Sequence, residues 1–267
     1  MDTKALDETL AIDASKLEAF ARDGHAVVRG LASADEAAAF LPLVEAASIA
    51  TARNKHELTE PGNTDGVFLQ AFNLWRVDDR IAPFVLSPRF AGVAAALLGV
   101  ERVRLYHDQS LCKGAGVGRT PWHQDHYYWP LDTDRMITMW MPLIDVPVEM
   151  GSMTFASGSH LLGDLGGTGI NKASSADFEA VIDERQLATT SHGAMTAGDA
   201  TFHGGWTLHS AGRNTSDQLR TVMTVIYFSD GARVSSDLTP AQDVDRRAWL
   251  GGRRPGELAD HRENPVL

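Results

Sequence analysis

Three stretches of the chain hold side chains whose types and spacing could do chemistry. The first is Pro121-Trp122-His123-Gln124-Asp125-His126. Residues two apart in a strand point to the same face, so His123 and Asp125 project together. An imidazole and a carboxylate supply two of the three ligands of a two-histidine, one-carboxylate metal face. Such a face leaves coordination positions open and suits non-haem Fe(II). The second stretch, Gly198 to Asn214, offers His203 and His209 as candidates for the third ligand, and neither is preferred on its own residues. The third is Arg220, which begins an apolar run and shares a strand face with Val222, Thr224 and Ile226. A guanidinium in apolar surroundings is costly unless paired, and a carboxylate ligand would pair it in two-pronged fashion. Each motif alone also has an ordinary reading: a solvated turn for His-x-Asp, a core or surface histidine, an edge arginine bonded to a structural acid.

The elements that must position these residues change character near residue 100. Before it the pattern is mostly helical. Asp13 or Ser15 caps a helix through Arg22 that Gly24 ends, and residues 25–31 read as a strand. Ser33 with Glu36 is a capping-box pattern before a helical run containing Pro42, where a kink is expected. Gly62, Asn63 and Gly66 mark a loop, and a helical pair follows over 79–86 and 88–98. From 101 the period moves towards two. Val103, Leu105, His107, Gln109 and Leu111 are expected on one face of a strand. Further strands are read at 137–146, 152–156, the stretch up to His203, and 219–228, with a helix at 175–189. Helices followed by many short strands suggest a mostly β protein with flanking α-helices, and two facing sheets around a site would be a jelly roll.

Composition narrows the function classes. With 267 residues the chain has room for a substantial core. Acidic residues number 35 and basic residues 24, a formal net charge of −11. That balance argues against nucleic-acid partners and against a polybasic membrane anchor. The single cysteine, Cys112, excludes an internal disulfide and a cysteine-based zinc site, and fits a reducing, cytoplasmic compartment. The N-terminal stretch lacks the basic start and apolar core of a signal peptide. The apolar runs fall short of the roughly 18 residues of a membrane span.

Taken in order, His123-Gln-Asp125, His209 and Arg220 eleven residues on resemble the phytanoyl-CoA hydroxylase (PhyH)-like family of Fe(II)- and 2-oxoglutarate-dependent oxygenases. Tyr128-Trp129-Pro130, the stretch from Thr138 to Asp145, that from Glu149 to His160 and Asn214-Thr-Ser216 add to the match, which is strongest over 105–228. The resemblance implies a double-stranded β-helix (jelly-roll, cupin-like) core. It implies one domain over 1–267, with a helical part to about 100, a metal-binding core over about 101–231 and a tail from about 232. It makes His123, Asp125 and His209 the iron ligands and leaves His203 a supporting residue. Arg220 becomes the partner of the distal carboxylate of 2-oxoglutarate, with Gln109, Thr138 and Trp140 as further co-substrate wall. The implied reaction consumes 2-oxoglutarate and O2, hydroxylates an unactivated C–H bond of a small organic molecule, and releases succinate and CO2. Two positions depart from the pattern: Ala211 stands where some members carry a serine, and residues 67–72 lack an upstream lysine. Asp125 itself argues against halogenation, since related halogenases replace this carboxylate.

For a partly apolar small-molecule substrate, the candidate pocket residues are Phe68, Gln70, Asn73, Trp75, His126, Tyr127, Tyr128 and Trp206. A secondary metabolite, an acyl derivative and an amino acid derivative all remain open. Arg102, Arg104, Lys113 and Arg119 read as solvated strand ends and loop. The tail from Asp237 could cover the pocket, pack on a partner subunit or stay mobile, and homo-oligomerisation is left open. The rival readings are a cupin-type metal enzyme that does not use 2-oxoglutarate and a catalytically silent binding protein.

Overall fold

The computed structural model describes residues 6–51, 54–56, 67–167 and 169–267. The loop expected around Gly62, Asn63 and Gly66 lies outside them.

Four helices form one layer. Helix α1 (Ala14–Asp23) starts after an extended Asp13 and stops at Gly24, whose φ of +80° is left-handed. A Cβ there would come within 2.6 Å of Thr207 Oγ1, so only glycine lets the chain reverse straight into β1 (His25–Val28). Helix α2 (Ala34–Thr51) opens on the expected capping box: Glu36 N–H donates to Ser33 Oγ and Ser33 N–H to Glu36 Oε2. It continues through Pro42. The short β2 (Asn54–His56) and β3 (Phe68–Phe72) come next. Then follow a 3-10 turn (Asp79–Ile81), α3 (Ala82–Val85) and α4 (Pro88–Leu98), the last entered through Ser87 and Pro88 and closed by left-handed Gly99. Residues 79–98 match a membrane span by length and composition. Here they break at Leu86 and Ser87, and Phe84, Val85, Phe90 and Val93 pack into the core.

The remaining strands are β4 (Val103–Lys113), β5 (Thr120–His123), β6 (Met136–Pro142), β7 (Met153–Ala156), β8 (Thr189–Ser191), β9 (Ala200–Gly204), β10 (His209–Ala211) and β11 (Arg220–Ser229). They build a seven-stranded sheet of order β1-β9-β6-β11-β4-β3-β2 and a four-stranded sheet of order β5-β10-β7-β8. Every described pairing between strands is antiparallel. The outer face of the large sheet packs on the helices through Ile137, Met139, Met223, Val225 and Phe202. Helix α5 (Lys172–Glu184) covers the outer face of the small sheet through Phe178 and Ile182. It begins at Asn171, which caps it, and so lies earlier than the expected 175–189. Between the sheets lies a second core with Trp140, Met153, Phe155 and Val222. The whole is the expected jelly roll with flanking helices.

The expected face of β4 is corrected by a bulge. Ile226 pairs with His107 and Tyr227 with Leu105, so Tyr106 is skipped. Val103 and Leu105 therefore join the helical core, while His107, Gln109 and Leu111 face the space between the sheets.

The tail is tied down. Helix α6 (Pro240–Trp249) starts in a capping box between Thr239 and Gln242. Asn264 is fully buried, with Nδ2 at 3.0–3.1 Å from the carbonyls of Leu105, Tyr106 and Trp249. Leu267 N–H donates to Val103 O beside β4. Replacing Asn264 by Ala strands these carbonyls away from water. We expect Asn264→Ala to lower the free energy of unfolding by about 1–3 kcal/mol, read from urea denaturation. An unchanged midpoint would show that the tail does not hold itself through this residue.

Candidate metal centre

β5 and β10 pair with His209 directly opposite His123, and their rings lie 4.0 Å apart between centroids. After His123 the chain turns into a 3-10 helix, Asp125–Tyr128, which swings Asp125 beneath both imidazoles. One ligand atom from each of His123, Asp125 and His209 lies within 4.8 Å of the others. Asp125 Oδ1 is 3.5 Å from His123 Nε2 and 3.6 Å from His209 Nε2.

The other carboxylate oxygen has a different task. Asp125 Oδ2 accepts a hydrogen bond from Thr138 Oγ1 at 2.9 Å and lies 3.2 Å from His203 Nε2. Thr138 and His203 are themselves register partners on β6 and β9 of the large sheet. One carboxylate thus joins a cross-strand pair from each sheet. The histidine tautomers are set from behind. His123 Nδ1 donates to Pro121 O at 2.7 Å and His209 Nδ1 to Thr207 O at 2.9 Å. A carbonyl only accepts, so each ring keeps its Nδ1 hydrogen and, when neutral, turns the Nε2 lone pair to the site. Gln124, on the opposite side, donates to Gly163 O and Trp206 O at 2.8 and 2.7 Å and pins that loop.

Charge suits a cation. Burial works against ionisation of Asp125, but His209, His123 and His203 together outweigh it and hold the carboxyl well below the usual range. Burial, with His123 and His203 beside it, pushes His209 well below the imidazole range. Ionised carboxylate and neutral imidazole are the forms a metal needs. Two nitrogens and one oxygen on one side, with open space on the other, fit Fe(II).

The open space is a cavity of about 480 Å³. Arg220 lines it with only 1% of its surface exposed. Its Nη1 donates to Gly151 O at 2.6 Å, its guanidinium lies 5.4 Å from the Trp140 ring, and its Nε has no hydrogen-bond partner. Gly151 has φ +89°, and a Cβ would sit 2.4 Å from Gly212 O; only glycine allows this loop to offer its carbonyl there. Among the described residues no carboxylate pairs with Arg220. Burial lowers its pKa to about 10, which leaves it cationic at neutral pH. A buried cation with spare donors facing a cavity calls for an anion. Lys113 is its cross-strand neighbour on β4. It is buried, not solvated, and reaches Gly118 O, Gly212 O and Thr120 Oγ1 at 3.0, 2.9 and 3.3 Å. Burial, then Arg220, pushes its pKa down to about 6.

Of the other residues singled out in the sequence, Gln109, Thr138, Trp140, Phe68, Gln70 and Tyr128 line this cavity. Gln70 Nε2 donates to Gln109 Oε1 at 2.8 Å. Asn73, Trp75, His126, Tyr127 and Trp206 are absent from its wall. Asn73 is left-handed at φ +50° and ends the alternation of β3, and Trp75 then packs on the helical core. A 3-10 helix has three residues per turn, so Tyr128 returns to the side of Asp125 while His126 and Tyr127 turn away. His126 stacks on Trp206, whose Nε1 donates to Asp134. The remaining basic residues are held elsewhere: Arg102 and Arg104 pair with Asp230, and Arg119 donates to Ser210. Sequence reasoning missed His107, Phe72, Ile170, Asp245 and Trp249, which all line the cavity. The capping signal of α6 was readable, but nothing in the residues said where that helix would lie.

Residues 20–222 match the family model described as phytanoyl-CoA dioxygenase (PhyH). Ectoine dioxygenase of Bordetella parapertussis (strain 12822 / ATCC BAA-587 / NCTC 13253) is 27% identical over 157 residues, 56% of this chain and 50% of that protein. The match therefore spans about half the length of the curated relatives. The non-heme alpha ketoglutarate dependent carbocyclase SnoK from nogalamycin biosynthesis superposes with a TM-score of 0.77 at 24% identity over 96% of each chain. The epimerase SnoN, solved in complex with Fe3+, alpha ketoglutarate and nogalamycin RO, gives a TM-score of 0.74 at 25% identity over 99% of each chain. The family match covers most of the sequence and the structural likeness nearly all of it: the chain belongs to the phytanoyl-CoA dioxygenase (PhyH) family.

Proposed function

We propose that this chain is an Fe(II)- and 2-oxoglutarate-dependent dioxygenase that hydroxylates an unactivated C–H bond of a small, partly apolar organic substrate and releases succinate and CO2. One observation carries the reading: the His123, Asp125, His209 cluster opens into the same cavity as Arg220, a buried cation with no acid to pair it among the described residues. A metal site alone does not need Arg220, and a silent scaffold needs neither. A dicarboxylic co-substrate explains both, with one end at the metal and the other at the guanidinium. The iron and alpha ketoglutarate bound by SnoN support the cofactors.

When bound, iron with 2-oxoglutarate supplies the activation of dioxygen, and the protein supplies placement and a dry site. His123, Asp125 and His209 would hold the metal. Thr138 and His203 fix Asp125 through Oδ2, which leaves Oδ1 for the metal. Arg220 would pair a carboxylate of the co-substrate, with Trp140 and Leu111 as apolar walls beside it. Phe68, Phe72, Trp129 and Tyr128 keep water from the reacting carbon. Carbocyclase, epimerase and dioxygenase share this scaffold, so the outcome rests on how the substrate lies. The buried, free Cys112 supports a cytoplasmic setting.

An anaerobic titration with Fe(II) and 2-oxoglutarate tests the reading. The wild type should develop the weak visible charge-transfer band of a chelated keto acid. His209→Ala should lose it. Arg220→Ala should still bind iron but hold 2-oxoglutarate on the order of a hundredfold more weakly. Iron bound with no band would bring the cupin-type alternative forward. A second measurement addresses the support of Asp125. Thr138→Val, which removes the hydroxyl and keeps the shape, should weaken Fe(II) affinity about tenfold in the absence of 2-oxoglutarate. Equal affinity would show that Thr138 does not orient the ligand.

A further inference from the structure

The order of residues along β11 divides the cavity. Arg220 stands at one end. Thr224 pairs with Trp140 and Gln109, and Ile226 with Thr138 and His107. Thr138 holds Asp125 and pairs with Ile226, so the metal centre lies on the Ile226 side of the cavity and the Arg220 guanidinium on the other. The co-substrate belongs to the stretch between them. The wall left for a substrate is then His107, Phe72, Tyr128, Trp129, Asp245 and Trp249.

Two of these come from α6. Asp245 Oδ2 accepts from Tyr106 Oη at 3.1 Å, and the Trp249 side chain also hydrogen-bonds this carboxylate. The Trp249 ring stacks on Phe72 at 5.1 Å and 29° and leans on His107 at 4.8 Å. His107 is 5% exposed, and its Nδ1 has no hydrogen-bond partner. A carboxylate and an imidazole whose Nδ1 lacks a partner therefore line a space otherwise walled largely by flat aromatic rings. Among the described residues Arg220 is the one Lys or Arg on the wall, so a second anion has no partner at this end.

We propose that Asp245 is a specificity-determining residue, which accepts a hydrogen bond from a hydroxyl or ammonium group on an otherwise apolar, ring-bearing substrate, with His107 as the second polar contact. This rests on the oxygenase reading above, because it takes the Arg220 end to be filled by 2-oxoglutarate. The aromatic walls receive the ring, and the one acid at their edge sets which way it lies. Burial pushes the Asp245 pKa up to about 7, although Tyr106 and Trp249 both donate to it. A carboxylate has two oxygens and about four acceptor positions, so a further donor from the substrate can be accepted. Substrates with a carboxylate or phosphate at this end would meet like charge instead.

Four bicyclic probes of one shape test this: 2-tetralol, 2-aminotetralin, tetralin-2-carboxylate and tetralin. Binding is read by tryptophan fluorescence quenching under argon, with and without Fe(II) and 2-oxoglutarate. The alcohol, the amine or both should bind roughly tenfold more tightly than the hydrocarbon and the carboxylate. Preference for the alcohol alone identifies a hydroxyl, and for the amine alone an ammonium. Asp245→Leu should abolish the preference, and Asp245→Ala serves in its place if that protein does not fold. A carboxylate probe that binds as well as both donors overturns the proposal. So does a ranking unchanged in the Asp245 variants, or no binding of any probe at millimolar concentration. The charge-transfer band, read on every protein, reports separately on iron and 2-oxoglutarate. Failure of the oxygenase reading shows as a wild type without the band, whatever the probe ranking, which is then read on the metal-free protein.

Discussion

Asp125 carries a buried negative charge, and much of the surrounding structure answers to it. Its two oxygens cannot both be left bare in a low-dielectric interior. Oδ2 is satisfied by Thr138 and His203 from the large sheet, and Oδ1 faces His123 and His209 from the small one. The register of four strands is thereby linked through one side chain. A slip of one residue in β6 or β9 would turn Thr138 or His203 to the helical core. A slip in β5 or β10 would do the same to the histidines. The order of the two sheets and the meeting of His123, Asp125 and His209 are one constraint seen from two sides.

Arg220 and Asp245 show the opposite policy. Many charges among the described residues are paired, as Arg104 is with Asp230 and Arg89 with Glu36. Arg220 is left with one carbonyl and an aromatic face. Local rules of satisfaction are broken where a ligand is meant to complete them. Lys113, next to Arg220 and fully supplied with acceptors, is the contrast that makes this visible: two buried basic side chains on adjacent strands, one closed and one waiting.

What the sequence made legible follows from how far each signal reaches. Strand alternation is local, so Thr138 with Trp140 and the Arg220 face of β11 could be read directly; His123 and Asp125 do meet, but through the 3-10 turn that follows β5 and not through the alternation expected of a strand. The choice of His209 over His203 came only through the family resemblance, because both sit in short strands and their own residues do not separate them; in the structure the β5–β10 register does. The bulge at Tyr106 leaves no mark in the hydrophobic pattern, since Leu105 and His107 are each buried, on opposite sides. Pocket residues chosen for closeness in sequence fared worst. A three-residue turn and one left-handed asparagine were enough to send His126, Tyr127 and Trp75 elsewhere. Asp245 and Trp249, more than a hundred residues from the metal motif, carried no local sign at all.

The bulge and the tail together separate two kinds of heritable change. His123, His209 and Arg220 stand on strands whose neighbours are shared with the core, so few substitutions there are neutral. Asp245 and Trp249 stand on a helix that adds no strand to either sheet. Beyond the bulge, β4 presents His107 to the cavity without engaging the helical core. A lineage could rewrite this wall, residue by residue, and meet new molecules while the His123, Asp125, His209 cluster stays as it is.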